Sequence, residues 1–191
     1  MKNYYILNYH ETFLSTQIDL NQNQLDSWKT VKVNLNDSIC DQGLKYIKGT
    51  GLMPMSLVNL FIGPPNFETA IHIDNSIQSY AINYVWGESN SVMRWYRAND
   101  NAIGKPGNTT AGTNFTKYDI DQVFLIEEIE IPKNKLTLVR IDVPHQVINY
   151  SVHPRYCLSI RFHTRLNWND VVKYVNKHIE SPKLDSEKYI P

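Results

Sequence analysis

The apolar stretch TAIHIDNS, residues 69–76, contains a histidine and an aspartate two positions apart. Residues i and i+2 of a β-strand face the same side, so the side chains of His72 and Asp74 are predicted to project together. An imidazole and a carboxylate side by side can supply two ligands to a divalent metal ion. With 6 His and 19 acidic residues in the chain, one such pair is close to chance expectation. A polar face on an exposed strand is therefore the competing interpretation of the pair taken alone.

A third candidate ligand lies further along the chain. His145 comes directly after the apolar run LTLVRIDV (136–143) and Pro144, where a new β-rich run begins. Two histidines and one carboxylate on one face of a metal ion leave its other face open. That arrangement suits non-haem Fe(II) oxygen chemistry. The sequence therefore predicts a metal site formed by His72, Asp74 and His145.

Two arginines stand in the run RYCLSIRFH, residues 155–163. Alternate positions of a strand share a face, so Arg155 and Arg161 are predicted to point the same way. A cationic side chain on the inward face of an apolar strand is costly unless an anion pairs with it. A planar guanidinium matches a carboxylate through two parallel hydrogen bonds. The expected partner is a dicarboxylate ligand or, alternatively, a carboxylate of the protein.

The segments that must position these residues are short and rich in β-branched and aromatic residues. Turn residues separate them, and most alternate apolar and polar positions, which indicates a sandwich, jelly roll or barrel. The segment 99–121 has no periodicity and is rich in Gly, Asn and Thr, so it is predicted to be a long loop, the candidate lid or substrate loop. The predicted strands are 3–9, 55–63, 69–74, 79–87, 91–98, 122–131, 136–143, 145–151 and 155–163.

Three helices are predicted outside these strands. A short helix followed by another strand is expected within 19–37, and a second short helix within 36–48. The third spans 168–180, where apolar residues recur on one helical face. Asn167 or Asn169 can cap it, because an asparagine side chain accepts a hydrogen bond from the first turn of a helix. This helix is expected to pack on the outside of the sheet.

The length and composition are typical of a soluble single-domain protein. The chain has 191 residues, 42% of them hydrophobic, and its formal net charge is zero, which disfavours nucleic acid and membrane surfaces as partners. Its two cysteines exclude a disulfide scaffold, and no signal peptide or long apolar segment is seen, so a cytoplasmic protein is expected. One domain is predicted over 1–191, with an N-terminal flank (1–50), a β core (52–165) and a C-terminal helix and tail (166–191).

The order of the candidate residues resembles a known family. The pattern His72-x-Asp74, then His145, then Arg155 ten residues later is similar to that of the Fe(II)/2-oxoglutarate-dependent dioxygenases. The resemblance spans roughly residues 55–165. It implies a double-stranded β-helix, which is a cupin-like jelly roll, with flanking helices. The expected fold class is thus α+β and mainly β.

The resemblance also implies roles for individual residues. The two histidines and the aspartate would bind Fe(II), and Arg155 would hold the distal carboxylate of 2-oxoglutarate, with Arg161 as the alternative. The segment YAINYVWGESNSVMRWY resembles the part of the family that follows the HxD strand. Further contacts to the co-substrate are implied for Asn83 and Tyr80, and contacts to the co-substrate or the substrate for Arg94.

The implied reaction consumes O2, converts 2-oxoglutarate to succinate, and hydroxylates a small molecule or a protein side chain, with ascorbate as an optional cofactor. Two other functions stay open on the sequence alone. A cupin-like metal protein would keep the metal ligands and need neither arginine. A non-enzymatic β-sandwich that serves as an interaction module would need no metal. The oligomeric state and the primary substrate are not predicted.

Overall fold

The computed structural model describes residues 2–15, 27–87, 90–109 and 111–180 of the chain. In these residues, strands are far more abundant than helices, and every strand pairing is antiparallel. The strands, numbered along the chain, are β1 (Tyr4–Ile6), β2 (Lys29–Asn34), β3 (Leu57–Gly63), β4 (Phe67–Glu68), β5 (Ile71–Asp74), β6 (Tyr80–Gly87), β7 (Ser91–Ala98), β8 (Lys105–Asn108), β9 (Asn114–Tyr118), β10 (Val123–Glu130), β11 (Leu136–Arg140), β12 (His145–Asn149) and β13 (Arg155–Ile160).

The strands form two sheets whose order identifies the fold. One sheet has the order β1-β11-β6-β13-β3-β2 and the other β10-β7-β12-β5-β9-β8, with β4 beside β12. Eight strands, β3, β5, β6, β7 and β10 to β13, make up the core. Numbered one to eight along the chain, these core strands lie in the order 1-8-3-6 in the first sheet. In the second sheet their order is 2-7-4-5. This order is that of a double-stranded β-helix, or jelly roll, so the predicted fold class is confirmed.

Alternation along each strand divides the apolar side chains into two layers. Ala81 and Val85 of β6 face the space between the sheets, together with Trp95 of β7 and Cys157 of β13. The intervening positions of β6 and β13 face an outer layer, which also receives the helices. The inner layer is what surrounds the candidate site. Buried residues of the outer layer include Tyr80, Ile82, Tyr84, Leu158, Ile160, Phe162, Trp168, Val171 and Val175.

The helices are short and flank the first sheet. They are α1 (Leu35–Ser38), α2 (Asp41–Gly49) and α3 (Trp168–Tyr174), and none in the described part of the chain is long and apolar enough to span a membrane. Asn167 caps α3 as predicted, accepting a hydrogen bond from the backbone N–H of Asp170 at 3.0 Å. The helix packs in the outer layer, also as predicted, but ends six residues earlier than its apolar pattern indicated.

The second predicted helix, within 36–48, is confirmed as α2, and the first one is only partly testable. Residues 16–26 lie outside the described residues, as do residues 181–191 of the predicted C-terminal tail. In the rest of the region 19–37, Lys29–Asn34 form β2, the strand expected after the helix, and Leu35–Ser38 form the single turn α1. The β-branched residues of β2 suit it to a strand, and it pairs with β3 at the edge of the sheet. Without β2, the backbone groups along that side of β3 would be unpaired.

The predicted loop over 99–121 is wrong in part. Two of its stretches, β8 and β9, form a hairpin whose second strand pairs with β5, so that Phe115 lies opposite Asp74. Gly107 makes the hairpin compact, since a Cβ added there would come within 2.4 Å of the Phe115 ring. The strands are four and five residues long and polar, and β9 pairs with the edge of β5 while β8 pairs only with β9. Their own sequence therefore carries little strand signal.

Candidate metal centre

Three side chains with metal-ligating atoms converge between the two sheets. His72 and Asp74 lie on β5, and His145 begins β12 directly opposite His72. One ligand atom from each of the three lies within 4.8 Å of the others, and within the described residues this is the one cluster of its kind. His72 Nε2 is 3.6 Å from Asp74 Oδ1. Ligands at about 2.1 Å from a metal ion stand about 3 Å apart, so a small contraction suits the set to a divalent ion.

Backbone carbonyl groups orient both imidazoles. The Nδ1 of His72 lies 2.8 Å from the oxygen of Ala70, and the Nδ1 of His145 lies 2.9 Å from the oxygen of Val143. A carbonyl oxygen only accepts, so each Nδ1 carries a proton, and Nε2 is the nitrogen that holds the lone pair when the ring is neutral. Burial, and secondarily the nearby His72 ring, lowers the pKa of His145 to about 4. Both features keep the His145 ring neutral and suited to bind a metal ion through Nε2.

Arg161 keeps the Asp74 side chain ionised. Burial alone would raise the pKa of this carboxyl, but the nearby Arg161 guanidinium, and then the two histidines, bring it down to about 2. Arg161 Nη2 donates to Asp74 Oδ2 at 2.7 Å. Since Oδ2 is occupied in this way, Oδ1 is the oxygen that lies toward the histidine and is free to bind a metal ion. Arg161 thus sets a one-oxygen mode of binding for Asp74.

Replacing Arg161 by leucine is expected to lower the free energy of unfolding of the metal-free protein by about 3 kcal/mol, because it leaves a buried carboxylate without its cation. Urea unfolding measures this loss. Adding Co(II) is expected to restore part of it, since the ion again compensates Asp74. Arg140→Leu is the matched control: its pair with Asp142 is more exposed, and its loss is expected to cost less than about 1 kcal/mol. Equal stabilities for the two variants would contradict the role given to Arg161.

Arg155 is a buried guanidinium that lacks an acidic partner among the described residues. Its side chain is 2% exposed, and its Nε donates to Ser91 Oγ at 3.2 Å. No carboxylate of the described residues lies within 4.0 Å of it. Burial accordingly lowers the pKa of the Arg155 guanidinium. A buried charge in this state is costly unless an anion enters and pairs with it.

One cavity of about 260 Å³ joins Arg155 to the three candidate ligands. The inward positions of β13 and the residue that follows it line the cavity in order: Arg155, Cys157, Ser159 and Arg161. Met93 and Val147, which face each other in register on β7 and β12, add to an apolar band around Cys157. The cavity therefore changes from a cation through an apolar section to polar and metal-ligating groups. Arg155 and Ser159 are four positions apart on the strand, a rise of about 13 Å along the backbone.

The other predicted contacts divide between the inside and the outside of the sandwich. Asn83 lines the cavity, and its buried Oδ1 has no hydrogen-bond partner. The prediction for Tyr80 is wrong, because its ring lies in the outer layer and its hydroxyl donates to the Thr164 oxygen at 2.8 Å. Positions 80 and 83 differ by three, so they face opposite sides of a strand. The prediction for Arg94 is also wrong: it faces away from the cavity and pairs with Glu128.

Several residues of the site were missed at the level of sequence. Phe115 of the hairpin places its ring edge-on to His72, with 5.4 Å between centroids. Trp28, just before β2, stacks between Phe61 and Phe67 along the cavity wall. Asn59, a buried asparagine in the apolar strand β3 with an unpartnered Oδ1, stands out in the sequence as an isolated amide in an apolar run, but it does not line the cavity. No sequence signal indicates Trp28 or Phe115.

Comparison with known proteins finds weak structural similarities and no family. No protein-family model matches the chain, and no curated protein does. Among solved structures, it is similar to the cysteine peptidase Peruvianin-I from Thevetia peruviana latex, with a TM-score of 0.39, 8% identity, and coverage of 87% of this chain and 93% of that one. It is also similar to a point mutant of Bacillus subtilis oxalate decarboxylase, with a TM-score of 0.37, 14% identity, and coverage of 84% and 34%. Similarities this weak say nothing about function, and the fold assignment rests on the strand order.

Proposed function

We propose that this protein is an Fe(II)- and 2-oxoglutarate-dependent oxygenase that hydroxylates a small molecule or a protein side chain. The observation that carries the proposal is Arg155, a buried cation without an acidic partner among the described residues, in the same cavity as two histidines and a carboxylate. The metal-ligating set alone suits many divalent-metal proteins. The arginine adds a second site for an anion, at a fixed distance from the metal.

The groups that line the cavity are complementary to those of an extended dicarboxylate. Arg155 would bind the distal carboxylate, and the band of Met93, Val147 and Cys157 would contact the methylene groups. The polar groups of Asn83 and Ser159 follow on the metal side. The unpartnered Oδ1 of Asn83 is an acceptor, which a water can satisfy. Toward the co-substrate, whose oxygens only accept, this side chain would donate through its amide NH2 group. The residues present therefore fit the co-substrate.

The chain's own residues would orient the reactants and exclude water. His72, Asp74 and His145 would hold Fe(II), and the carbonyl oxygens of Ala70 and Val143 keep the two rings aligned. Bound Fe(II) and 2-oxoglutarate supply the oxidising chemistry, which uses O2 and yields succinate, carbon dioxide and a hydroxylated product. The aromatic and apolar wall limits access of bulk water to the co-substrate.

The hairpin of β8 and β9 would form the substrate side of the site. Asn108, Thr109, Thr113 and Phe115 line the cavity there, and none of these carries a charge. An uncharged group is thus the proposed substrate portion. Nucleic acid is not the proposed partner, because the formal net charge of the chain is zero.

A cupin-like metal protein without 2-oxoglutarate is the second candidate, because the same fold and the same three ligands support it. One anaerobic experiment separates the two candidates. Fe(II) and then 2-oxoglutarate are added to the protein, and metal binding, a weak visible charge-transfer band and, after O2 admission, succinate are measured. We expect all three signals. Metal binding without the band or succinate would support the second candidate, and no metal binding would support an interaction module.

A further inference from the structure

The polypeptide that carries His72 is irregular just before the histidine. β4 pairs with β12 through Glu68 and Ile148, and β5 pairs with it through His72 and His145. There are four steps from Glu68 to His72 but three from His145 to Ile148, so this stretch holds one extra residue. A bulge of this kind redirects the side chains that follow it and leaves backbone groups in need of partners. His72 and His145 are the one pair of residues that lie opposite each other in the pairing of β5 with β12.

Side chains from neighbouring strands hold the bulge. Gln146 Nε2 donates to the oxygen of Thr69 at 2.9 Å, and the hydroxyl of Tyr96 donates to Gln146 Oε1 at 2.7 Å. The next carbonyl along the chain is that of Ala70, which accepts the Nδ1 proton of His72. Tyr96 is 3% exposed and Gln146 is 7% exposed, so these hydrogen bonds are shielded from water. A continuous set of contacts thus runs from Tyr96 to the imidazole of His72.

We propose that Tyr96 and Gln146 are positioning residues for the metal centre. Their hydrogen bonds to each other and to Thr69, here called the clamp, fix the conformation of the bulge. The bulge in turn sets the direction of the Ala70 carbonyl, which orients the His72 ring. Neither Tyr96 nor Gln146 lines the cavity. Their action is therefore on the ligand geometry and not on any bound molecule. The inference rests on the metal-binding part of the proposed function and is independent of 2-oxoglutarate.

The clamp makes a specific prediction for metal binding. Tyr96→Phe removes the hydroxyl that fixes the Gln146 amide, and is expected to raise the dissociation constant for Co(II) by about tenfold. Co(II) is titrated into the metal-free protein under nitrogen and followed by its visible d–d absorption. The position and intensity of these bands are expected to change as well, because they report on ligand geometry, and a purely structural role would leave them unaltered.

Tyr80→Phe is the matched control. Tyr80 is also a buried tyrosine whose hydroxyl donates to one acceptor, but it lies in the outer layer. This variant is expected to bind Co(II) within about twofold of the wild type and with the same spectrum. Thermal unfolding of both metal-free variants shows whether their losses of stability are comparable. Equal loss of Co(II) affinity in the two variants would overturn the inference, as would wild-type affinity and spectrum in Tyr96→Phe.

A double-variant experiment tests whether the two residues act as one unit. Gln146→Leu removes the amide, and Tyr96→Phe is then expected to have no further effect on Co(II) affinity in that background. Additive effects would contradict the clamp. If the wild-type protein binds no Co(II), the proposed metal centre and the clamp both fail. If the wild type binds Co(II) and Tyr96→Phe is unaffected, only the clamp fails.

Discussion

Replacing Arg155 by methionine is expected to raise the dissociation constant for 2-oxoglutarate by about a hundredfold or more, a loss of about 3 kcal/mol. The same change is expected to raise the free energy of unfolding of the ligand-free protein by about 1 kcal/mol. Both effects have one cause: the guanidinium is buried without an acidic partner among the described residues, so it costs free energy until an anion enters. Quenching of tryptophan fluorescence by 2-oxoglutarate and urea unfolding measure the two effects.

Arg94→Met is the control for Arg155. Arg94 lies on β7, faces away from the cavity and pairs with Glu128, so its loss is expected to leave 2-oxoglutarate affinity unchanged. Unaltered binding in Arg155→Met would mean that another group, with Arg161 the remaining candidate, holds the distal carboxylate. A fall in the stability of Arg155→Met would mean that a carboxylate of the protein, and not a ligand, compensates this charge.

Replacing His72 or His145 by alanine is expected to weaken Fe(II) binding by at least about a hundredfold, because two protein ligands remain where three are needed. The charge-transfer band and succinate formation are expected to disappear with it. In the wild type, a metal concentration of about 100 times the dissociation constant is expected to add about 2.7 kcal/mol to the free energy of unfolding. The variants are expected to show little of this gain.

His153→Ala serves as the matched control for the two histidine variants. Its side chain is exposed in a turn between β12 and β13, away from the cavity. It is expected to keep the wild-type affinity for Fe(II) and the full stabilisation by metal. Metal binding that survives in both His72→Ala and His145→Ala would exclude the cluster as the metal centre. Calorimetry under nitrogen and thermal unfolding with and without Fe(II) provide the measurements.

The chemical order within the cavity links these predictions. The cation lies at one end, the metal-ligating set at the other, and apolar side chains lie between them. Asp74 is compensated by Arg161, whereas no described carboxylate compensates Arg155, although the two arginines share one face of one strand region. This difference is what assigns them separate roles. Arg161 orients a metal ligand, and Arg155 is available to an incoming anion.

Strand periodicity made part of the site predictable. His72 with Asp74, and Arg155 with Arg161, share faces because their spacings are even, and any strand would place them so. The cap at Asn167 was predictable for a similar reason, since it depends only on one side chain and the first turn of the helix that follows it. Tyr80 and Arg94 show the limit of the same rule. Which parity of a strand faces inward depends on the opposing sheet, and both residues have the outward parity.

The hairpin of β8 and β9 shows a second limit. Its residues are polar and its strands short, so the pairing depends on an available edge at β5 and not on the propensity of the segment. Phe115 reaches His72 only through that pairing. The bulge before His72 is similar, because an extra residue becomes visible only when the opposite strand is known.

The sequence by itself determined the types of ligand, the faces they share along a strand and a mainly β fold, because these depend on contacts between near neighbours. Only the tertiary structure decided that β5 and β12 lie side by side and that Arg155 lacks an acidic partner among the described residues. It also decided which side chains hold the histidines. Those facts depend on pairings between strands about 70 residues apart, which the winding of the two sheets creates and no local pattern encodes.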